Sequence, residues 1–141
     1  MDTELEKLVW SRANAACEYC RLPQDACSWT FHIEHIIAQQ HGGLTVAGNL
    51  ALSCPRCNLF KGTNLASVDH VTGRRVWLFH PRRHLWQTHF RWSDLFVVGR
   101  TPAGRATVAL LHMNAGEDLE TRQELREMGR FPPHANVRLK R

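Results

Sequence analysis

Two cysteine pairs are the residues whose types and spacing point most directly to chemistry. Cys17 and Cys20 form one C-x-x-C pair, and Cys54 and Cys57 form a second pair after 33 intervening residues. Two pairs at such a spacing are typical of a zinc site with four thiolate ligands. Four thiolates complete a tetrahedral shell, so the expected role of the Zn²⁺ is structural. The fifth cysteine, Cys27, lies outside the pairs, and we assign it no function.

A fixed order of polar residues and glycines accompanies the cysteines. It consists of Glu34-His35, Gly42-Gly43, Asn49-Leu50 and Asn58-x-x-Lys61-Gly62. Together with the cysteine pairs, this order resembles the zinc-containing kind of HNH endonuclease family, over roughly residues 10 to 62. The resemblance implies a ββα-metal fold, in which two strands and a helix surround one divalent cation. It also implies hydrolysis of phosphodiester bonds in nucleic acid, leaving 5′-phosphate and 3′-hydroxyl ends.

The resemblance gives each matching residue a role. His35 matches the general base, since a neutral imidazole can take a proton from water near pH 7. Glu34 and Asn58 match the ligands of the catalytic cation, and Asn49 matches the asparagine that orients the base. Because these ligand atoms are hard oxygens, Mg²⁺ or Mn²⁺ suits the site better than zinc. The family often has aspartate in place of Glu34, and histidine is the other residue found in place of Asn58.

Each of these residues also has a simpler interpretation. The cysteines could be separate thiols, and His35 could be a hydrogen-bonded histidine of the core. Asn49 could shape a turn, which is compatible with orienting a base. His32 and His41 could touch phosphate or metal, or pack locally. Lys61 could meet a backbone phosphate or an acidic side chain.

A pair of antiparallel strands is expected to position Glu34 and His35, which both lie on the first strand. Residues 29–37 have the β-branched and aromatic content of a strand, and residues 50–53 are expected to return antiparallel to it after a polar, glycine-rich loop. Successive side chains of a regular strand point to opposite faces. Serving one site with both residues would therefore require a bulge or a sharp twist.

A short helix is expected over residues 55–61. Pro55 suits its first position, where the missing N–H is no loss, and Gly62 is expected to end it. Asn58 and Lys61 are three residues apart and share a face of this helix, whereas Cys57 points away toward the zinc.

The remaining residues predict further helices and strands. Helices are expected over residues 3–16, 101–113 and 117–128, a hairpin over 68–79, a strand over 95–98, and a frayed basic tail over 138–141. In the hairpin, Trp77 and Phe79 are expected to share one face. In the helix over 101–113, the expected buried stripe is Ala106, Leu110 and Met113. Asp118 and Arg122 are expected to pair along the last helix.

Cations and aromatic rings alternate between residues 82 and 92. Such a pattern could form a groove that follows phosphates and stacks on bases. It could also form a strand with Phe90 and Trp92 inward and His89 and Arg91 outward. We favour the strand for the rings, and expect some arginines to meet nucleic acid. The residues we assign to nucleic-acid binding are His41, Lys61, Arg82, Arg83 and Arg91.

The charge is unevenly distributed. Residues 1–40 carry 3 Lys/Arg against 6 Asp/Glu, while residues 41–141 carry 15 against 7, and the formal net charge is +5. A basic excess favours docking on a polyanion, although it also serves solubility. The chain contains no long apolar run and no signal-like start, so we expect neither membrane insertion nor secretion. Paired cysteines without a disulfide framework suit the cytoplasm.

The sequence therefore predicts an α+β protein with one domain over residues 1–141. Its ββα-metal core, with the four-cysteine zinc site, spans about residues 10–62, and an extension of strands and helices spans about 63–141. The predicted function is a metal-dependent endonuclease acting on nucleic acid, with DNA favoured. The alternative is a non-catalytic zinc module that binds nucleic acid or a protein.

Overall fold

Three two-stranded antiparallel sheets and five helices make up residues 1–133, the part of the chain described by this computed structural model. The helices are α1 Thr3–Arg12, α2 Pro55–Lys61, α3 Trp86–His89, α4 Pro102–Leu110 and α5 Gly116–Glu127. The strands are β1 His32–His35, β2 Leu50–Ser53, β3 Ala66–Val68, β4 Arg75–Trp77, β5 Phe90–Ser93 and β6 Phe96–Gly99. The protein is thus α+β, as predicted, and the expected tail over 138–141 lies outside the described residues.

The hairpin of β1 and β2 and the helix α2 form the predicted ββα core. The strands pair in a regular register, with Glu34 opposite Ala51 and His35 opposite Leu50. Helix α2 has the bounds that the sequence predicts, with Pro55 in its first turn. It ends at Gly62, where φ is +50° and a side chain would be strained.

Helix α1 and strand β1 are shorter than predicted. Helix α1 stops at Arg12 because Asn14 and Ala15 adopt left-handed backbone, with φ of 54° and 55°. Strand β1 begins only at His32, since the side-chain amide of Gln24 bonds the backbone of Trp29 and Phe31 on the preceding segment. As a result of these two changes of direction, the first cysteine pair and β1 both contribute side chains to the buried core.

The hairpin of β3 and β4 also differs from the prediction. Its first strand begins at residue 66, before the predicted start at residue 68, and its second strand ends at residue 77. The six-residue turn between the strands, 69–74, is organised by Asp69. The carboxylate of Asp69 accepts bonds from the Thr72 hydroxyl and from Arg105 Nε and Nη2, the last two at 2.9 Å. Trp77 is 72% exposed and Phe79 only 2%, so the expected shared face is wrong; β4 ends at Trp77.

The extension packs against the core through rings and through α4 and α5. Phe90 is buried and Arg91 is exposed, as predicted. The short helix α3 before them was not predicted. Helix α4 ends at Leu110, before the predicted end at residue 113. Of the predicted stripe, Ala106 on α4 and Met113 after it are buried, and Leu110 is half-buried. One buried cluster includes side chains from both β2 and the extension, which joins the two parts of the chain.

Helix α5 does not use the pair predicted from its spacing. The ion pair nearest to Asp118 is made by Arg56, at 3.5 Å. Arg122 instead donates to the carbonyl oxygens of Met113 and Leu95 and to Asn114 Oδ1. None of the helices within residues 1–133 combines the length and the apolar character needed to cross a membrane.

Candidate functional site

The four paired cysteines form a site that fits zinc. Their sulfur atoms all lie within 4.8 Å of one another, and every one of these side chains is buried. The Sγ atoms of Cys20 and Cys54 are 3.7 Å apart. Tetrahedral zinc with Zn–S bonds of about 2.3 Å requires sulfur separations of about 3.8 Å, so the cluster already has the size of a ZnS₄ site. The predicted four-cysteine site is confirmed.

The positions of the cysteines explain what a zinc ion would join. Cys17 and Cys20 form a tight turn after α1, while Cys54 and Cys57 lie at the junction of β2 and α2. The backbone N–H groups of Cys20 and Cys57 point at the first sulfur of their own pair, at 3.5 and 3.4 Å. The metal would therefore fasten the N-terminal turn to the hairpin and to the start of α2.

Glu34 lies in the interior beside the zinc site. Its side chain is 5% exposed; Oε2 accepts a hydrogen bond from the Tyr19 hydroxyl, and Oε1 lies 3.4 Å from Lys61 Nζ. Lys61 is also buried and donates to the backbone oxygen of Ile36 at 2.8 Å. Burial raises the pKa of Glu34, and the ammonium of Lys61 acts in the opposite direction. The three side chains form a buried network of a phenol, a carboxylate and an ammonium.

Glu34 and Asn58 have the donor chemistry that a hard divalent cation requires. Asn58 lies three residues before Lys61 on α2, and its half-buried amide has no hydrogen-bond partner within residues 1–133. The carboxylate of Glu34 and the amide of Asn58 together offer oxygen ligands suited to Mg²⁺ or Mn²⁺. Lys61 adds a cost, since a cation at Glu34 Oε1 would lie near its positive charge.

His35 occupies the other face of β1. Its imidazole is half-buried, and Nε2 lies 2.8 Å from the Thr45 hydroxyl. The register of β1 and β2 is regular, without the bulge expected if Glu34 and His35 share one site. The two side chains therefore point to opposite faces of the strand, and the imidazole is the accessible one.

Asn49 closes the loop between the two strands. Its Oδ1 accepts from the backbone N–H of Ile37 at 2.9 Å, and its Nδ2 donates to the oxygens of Ile37 and Leu44. A Cβ at Gly43 would come within 1.7 Å of Ile37 O, so only glycine fits there. The asparagine bonds the backbone and not the imidazole of His35. The predicted hydrogen bond between Asn49 and the general base is therefore absent from this structure.

The residues assigned to nucleic-acid binding separate into two groups. His41, Arg83 and Arg91 are exposed, as contact with phosphate requires. Lys61 instead serves the interior, where its ammonium faces Glu34. Arg82 is largely buried and forms an ion pair with Glu18, whose other oxygen accepts from the backbone N–H of Leu52. In this structure, Lys61 and Arg82 hold the core together and do not present a charge to a ligand.

Three residues at this site were absent from the sequence prediction. Tyr19 and Glu18 lie between the first two cysteines, and Thr45 lies in the loop. Nothing in their local spacing distinguishes them, because each acts on a partner ten or more residues away. Their roles follow from the way the zinc turn folds over the hairpin.

Comparison with known proteins identifies one family. Residues 17–64 match the model of the HNH endonuclease family, about a third of the chain. The match begins at the first cysteine of the zinc site and ends three residues after Lys61, so it covers the hairpin and α2. The predicted resemblance is thereby confirmed. Neither the curated proteins nor the solved structures gave a match to the chain.

Proposed function

We propose, from the HNH endonuclease match of residues 17–64, that this protein is a metal-dependent endonuclease that hydrolyses phosphodiester bonds of DNA. One observation supports the step from family to activity. Within the matched segment, the imidazole of His35 lies on the accessible face of the hairpin and has a hydroxyl partner, Thr45. A solvent-accessible, oriented imidazole is what general-base catalysis needs.

His35 acts as the general base. We assign the tautomer in which Nε2–H donates to the Thr45 hydroxyl, which leaves Nδ1 unprotonated. That nitrogen takes a proton from the water that attacks phosphorus. Thr45 fixes the direction of the ring, and Asn49 fixes the base of the loop that carries Thr45.

Glu34 and Asn58 would hold the catalytic cation, Mg²⁺ or Mn²⁺. Because the regular strand places Glu34 and His35 on opposite faces, their joint action on one phosphate requires a local twist of β1 when the substrate binds. When bound, such an ion stabilises the negative charge that develops on the phosphate and on the leaving oxygen. Tyr19 keeps one oxygen of Glu34 in place, and Lys61 balances the carboxylate charge in the interior. The zinc site takes no part in the chemistry and keeps α2 against the hairpin.

Nicking of a supercoiled plasmid tests the proposal. We expect nicking in Mg²⁺ or Mn²⁺ that His35→Ala abolishes. The matched control is His32→Ala, which removes an exposed imidazole from the same strand that has no side-chain hydrogen bond within residues 1–133. Equal nicking by wild type and His35→Ala would contradict the proposal.

A second candidate function is a zinc module that binds nucleic acid or a protein without cutting. The burial of Glu34 favours it, because the carboxylate already has Tyr19 and Lys61 as partners. In that case no divalent cation supports nicking, while a complex with DNA still forms and weakens steeply with salt.

A further inference from the structure

We propose that a second site on this protein binds an unpaired stretch of the DNA substrate. The site is a cavity of about 840 Å³ between the first cysteine turn, strand β5 and the end of α5. The inference rests on the proposed function, because it names the form of the DNA that the nuclease engages. The charge of its lining and its aromatic surface support it independently.

The lining of the cavity is strongly basic. It includes six arginines, Arg12, Arg21, Arg91, Arg100, Arg122 and Arg130. The one acidic lining residue among residues 1–133 is Asp25, which is already bonded to Arg130 at 2.8 Å. Such an excess of positive charge on a concave surface attracts a polyanion.

Two of these arginines are placed to bind phosphate. Arg91 and Arg100 are exposed while lining the cavity. Arg91 has no ion-pair or hydrogen-bond partner in the part of the chain that the structure describes. Arg100 donates one bond, from Nη1 to the backbone oxygen of Gln87 at 3.1 Å. Most of their donor capacity therefore remains for a ligand.

Aromatic rings form the apolar wall of the same cavity. Trp86 lies 5.1 Å from both Phe90 and Trp92, and Phe131 meets Trp92 edge-on at 4.8 Å. All four residues line the cavity, but Trp86 and Phe90 are buried, so the half-buried rings of Trp92 and Phe131 supply its accessible aromatic surface. Aromatic surface beside arginines is the combination that binds single strands, because every nucleobase has a face that can stack.

The occupant we favour is an unpaired strand because of its shape and charge. In a duplex the bases are paired and stacked inside, so they cannot enter a cavity, while an unpaired strand exposes them. The chain's own continuation has the wrong charge to complement the lining. After Pro133, which lines the cavity, the sequence carries Arg138, Lys140 and Arg141 and no acid.

Fluorescence anisotropy with a fluorescein-labelled oligothymidylate tests the proposal. The protein is the full chain with His35→Ala, so that cleavage does not interfere. The test variant adds Arg91→Ala and Arg100→Ala. The matched control adds Arg74→Ala and Arg75→Ala, which remove the same charge from exposed positions on the β3–β4 hairpin outside the cavity. Thermal unfolding checks that both variants are folded.

We expect the cavity variant to bind the oligonucleotide at least roughly fivefold more weakly at low salt, with a smaller salt dependence, and the control to be nearly unchanged. A duplex of the same length should compete poorly. Equal weakening in both variants, or competition by duplex as strong as by single strand, would overturn the proposal. Failure of this test with plasmid nicking intact would remove the cavity site alone. Binding intact without nicking would instead remove the proposed catalytic function.

Discussion

At the scale of single residues, the contacts of Glu34 determine what the site can do. A carboxylate that is 5% exposed is stabilised only while its charge is matched. Tyr19 donates to it and Lys61 lies 3.4 Å away, so both residues act on the carboxylate that would bind a cation. The pKa of Tyr19 is raised well above its usual value by burial and by the charge of Glu34. The phenol therefore stays protonated and keeps donating.

Replacing Lys61 with methionine should show how much the buried Glu34 carboxylate destabilises the fold when its positive partner is removed. Lys61→Met removes the ammonium from a buried pair and is expected to lower the free energy of unfolding by about 3 kcal/mol near neutral pH. Without the opposing ammonium, the already raised pKa of Glu34 rises further, and protonated Glu34 needs no counter-charge. A buried carboxyl group whose pKa is raised in the folded state lowers the free energy of unfolding as pH increases, because it resists ionising in the folded protein more than in the unfolded chain. The loss should therefore be larger at about pH 8 than at about pH 5.

Urea unfolding at both pH values measures this difference. Lys7→Met is the control, since Lys7 is 70% exposed and its pair with Glu4 spans only one helical turn. We expect the control to change stability by less than about 0.5 kcal/mol at either pH. An equal loss for Lys61→Met at both pH values would show that the ammonium does not compensate Glu34.

At the scale of elements, the sequence predicts what local chemistry determines. Helix α2 has its predicted bounds because Pro55 and Gly62 act on the backbone within a few residues. The predicted end of α1 was wrong because Asn14 and Ala15 have positive φ values, which the turn into the zinc site imposes. The pairing of Asp118 with Arg122 was wrong because Arg122 finds three oxygen acceptors in other segments.

The same limit applies to the candidate site. The cysteine cluster is predictable because ligand spacing is itself the signal. The contacts of Glu34 with Tyr19 and Lys61 span 15 and 27 residues, and no local pattern encodes them. Strand alternation predicts that Glu34 and His35 face opposite sides, and the regular register of β1 and β2 shows no bulge that would bring them together.

Arg122 should be the main anchor of α5. It is 1% exposed, and its guanidinium lies 5.4 Å from the ring centroid of Trp92. Arg122→Ala leaves the buried carbonyl oxygens of Met113 and Leu95 without their donor, while Asn114 Oδ1 still accepts from Val97, so we expect a loss of roughly 2–4 kcal/mol in the free energy of unfolding. Chemical denaturation measures it. The control is Arg126→Ala on the same helix, whose ion pair with Asp94 is exposed and should contribute less than about 1 kcal/mol. Similar losses for the two variants would contradict the anchoring role.

At the scale of the whole molecule, the zinc site reinforces a junction that Glu18 also makes through hydrogen bonds with the backbone of Leu52. Its sulfurs belong to the turn after α1 and to the β2–α2 junction, and the cysteines are part of the buried cluster that also contains Phe79, Phe90 and Leu111. Loss of the metal should therefore weaken the extension as well as the hairpin. Metal binding of this kind is part of the free energy of folding.

Removing one thiolate tests that dependence. Cys54→Ser should abolish zinc retention and cooperative thermal unfolding, measured by metal analysis and circular dichroism. Cys27→Ser is the control, because Cys27 lies outside the cluster and burial raises the pKa of its thiol to about 11. Retention of zinc and of the wild-type unfolding temperature by Cys54→Ser would show that the four cysteines do not act together.

The proposed nuclease activity depends on a second cation, held by oxygen atoms beside the zinc site. The most direct measurement is anomalous diffraction from crystals of the protein soaked in Mn²⁺. We predict a manganese peak within roughly 2.0–2.3 Å of oxygens from Glu34 and Asn58, separate from a zinc peak at the four cysteines. A zinc peak alone, with Glu34 still bonded to Tyr19 and Lys61, would contradict the proposed nuclease site.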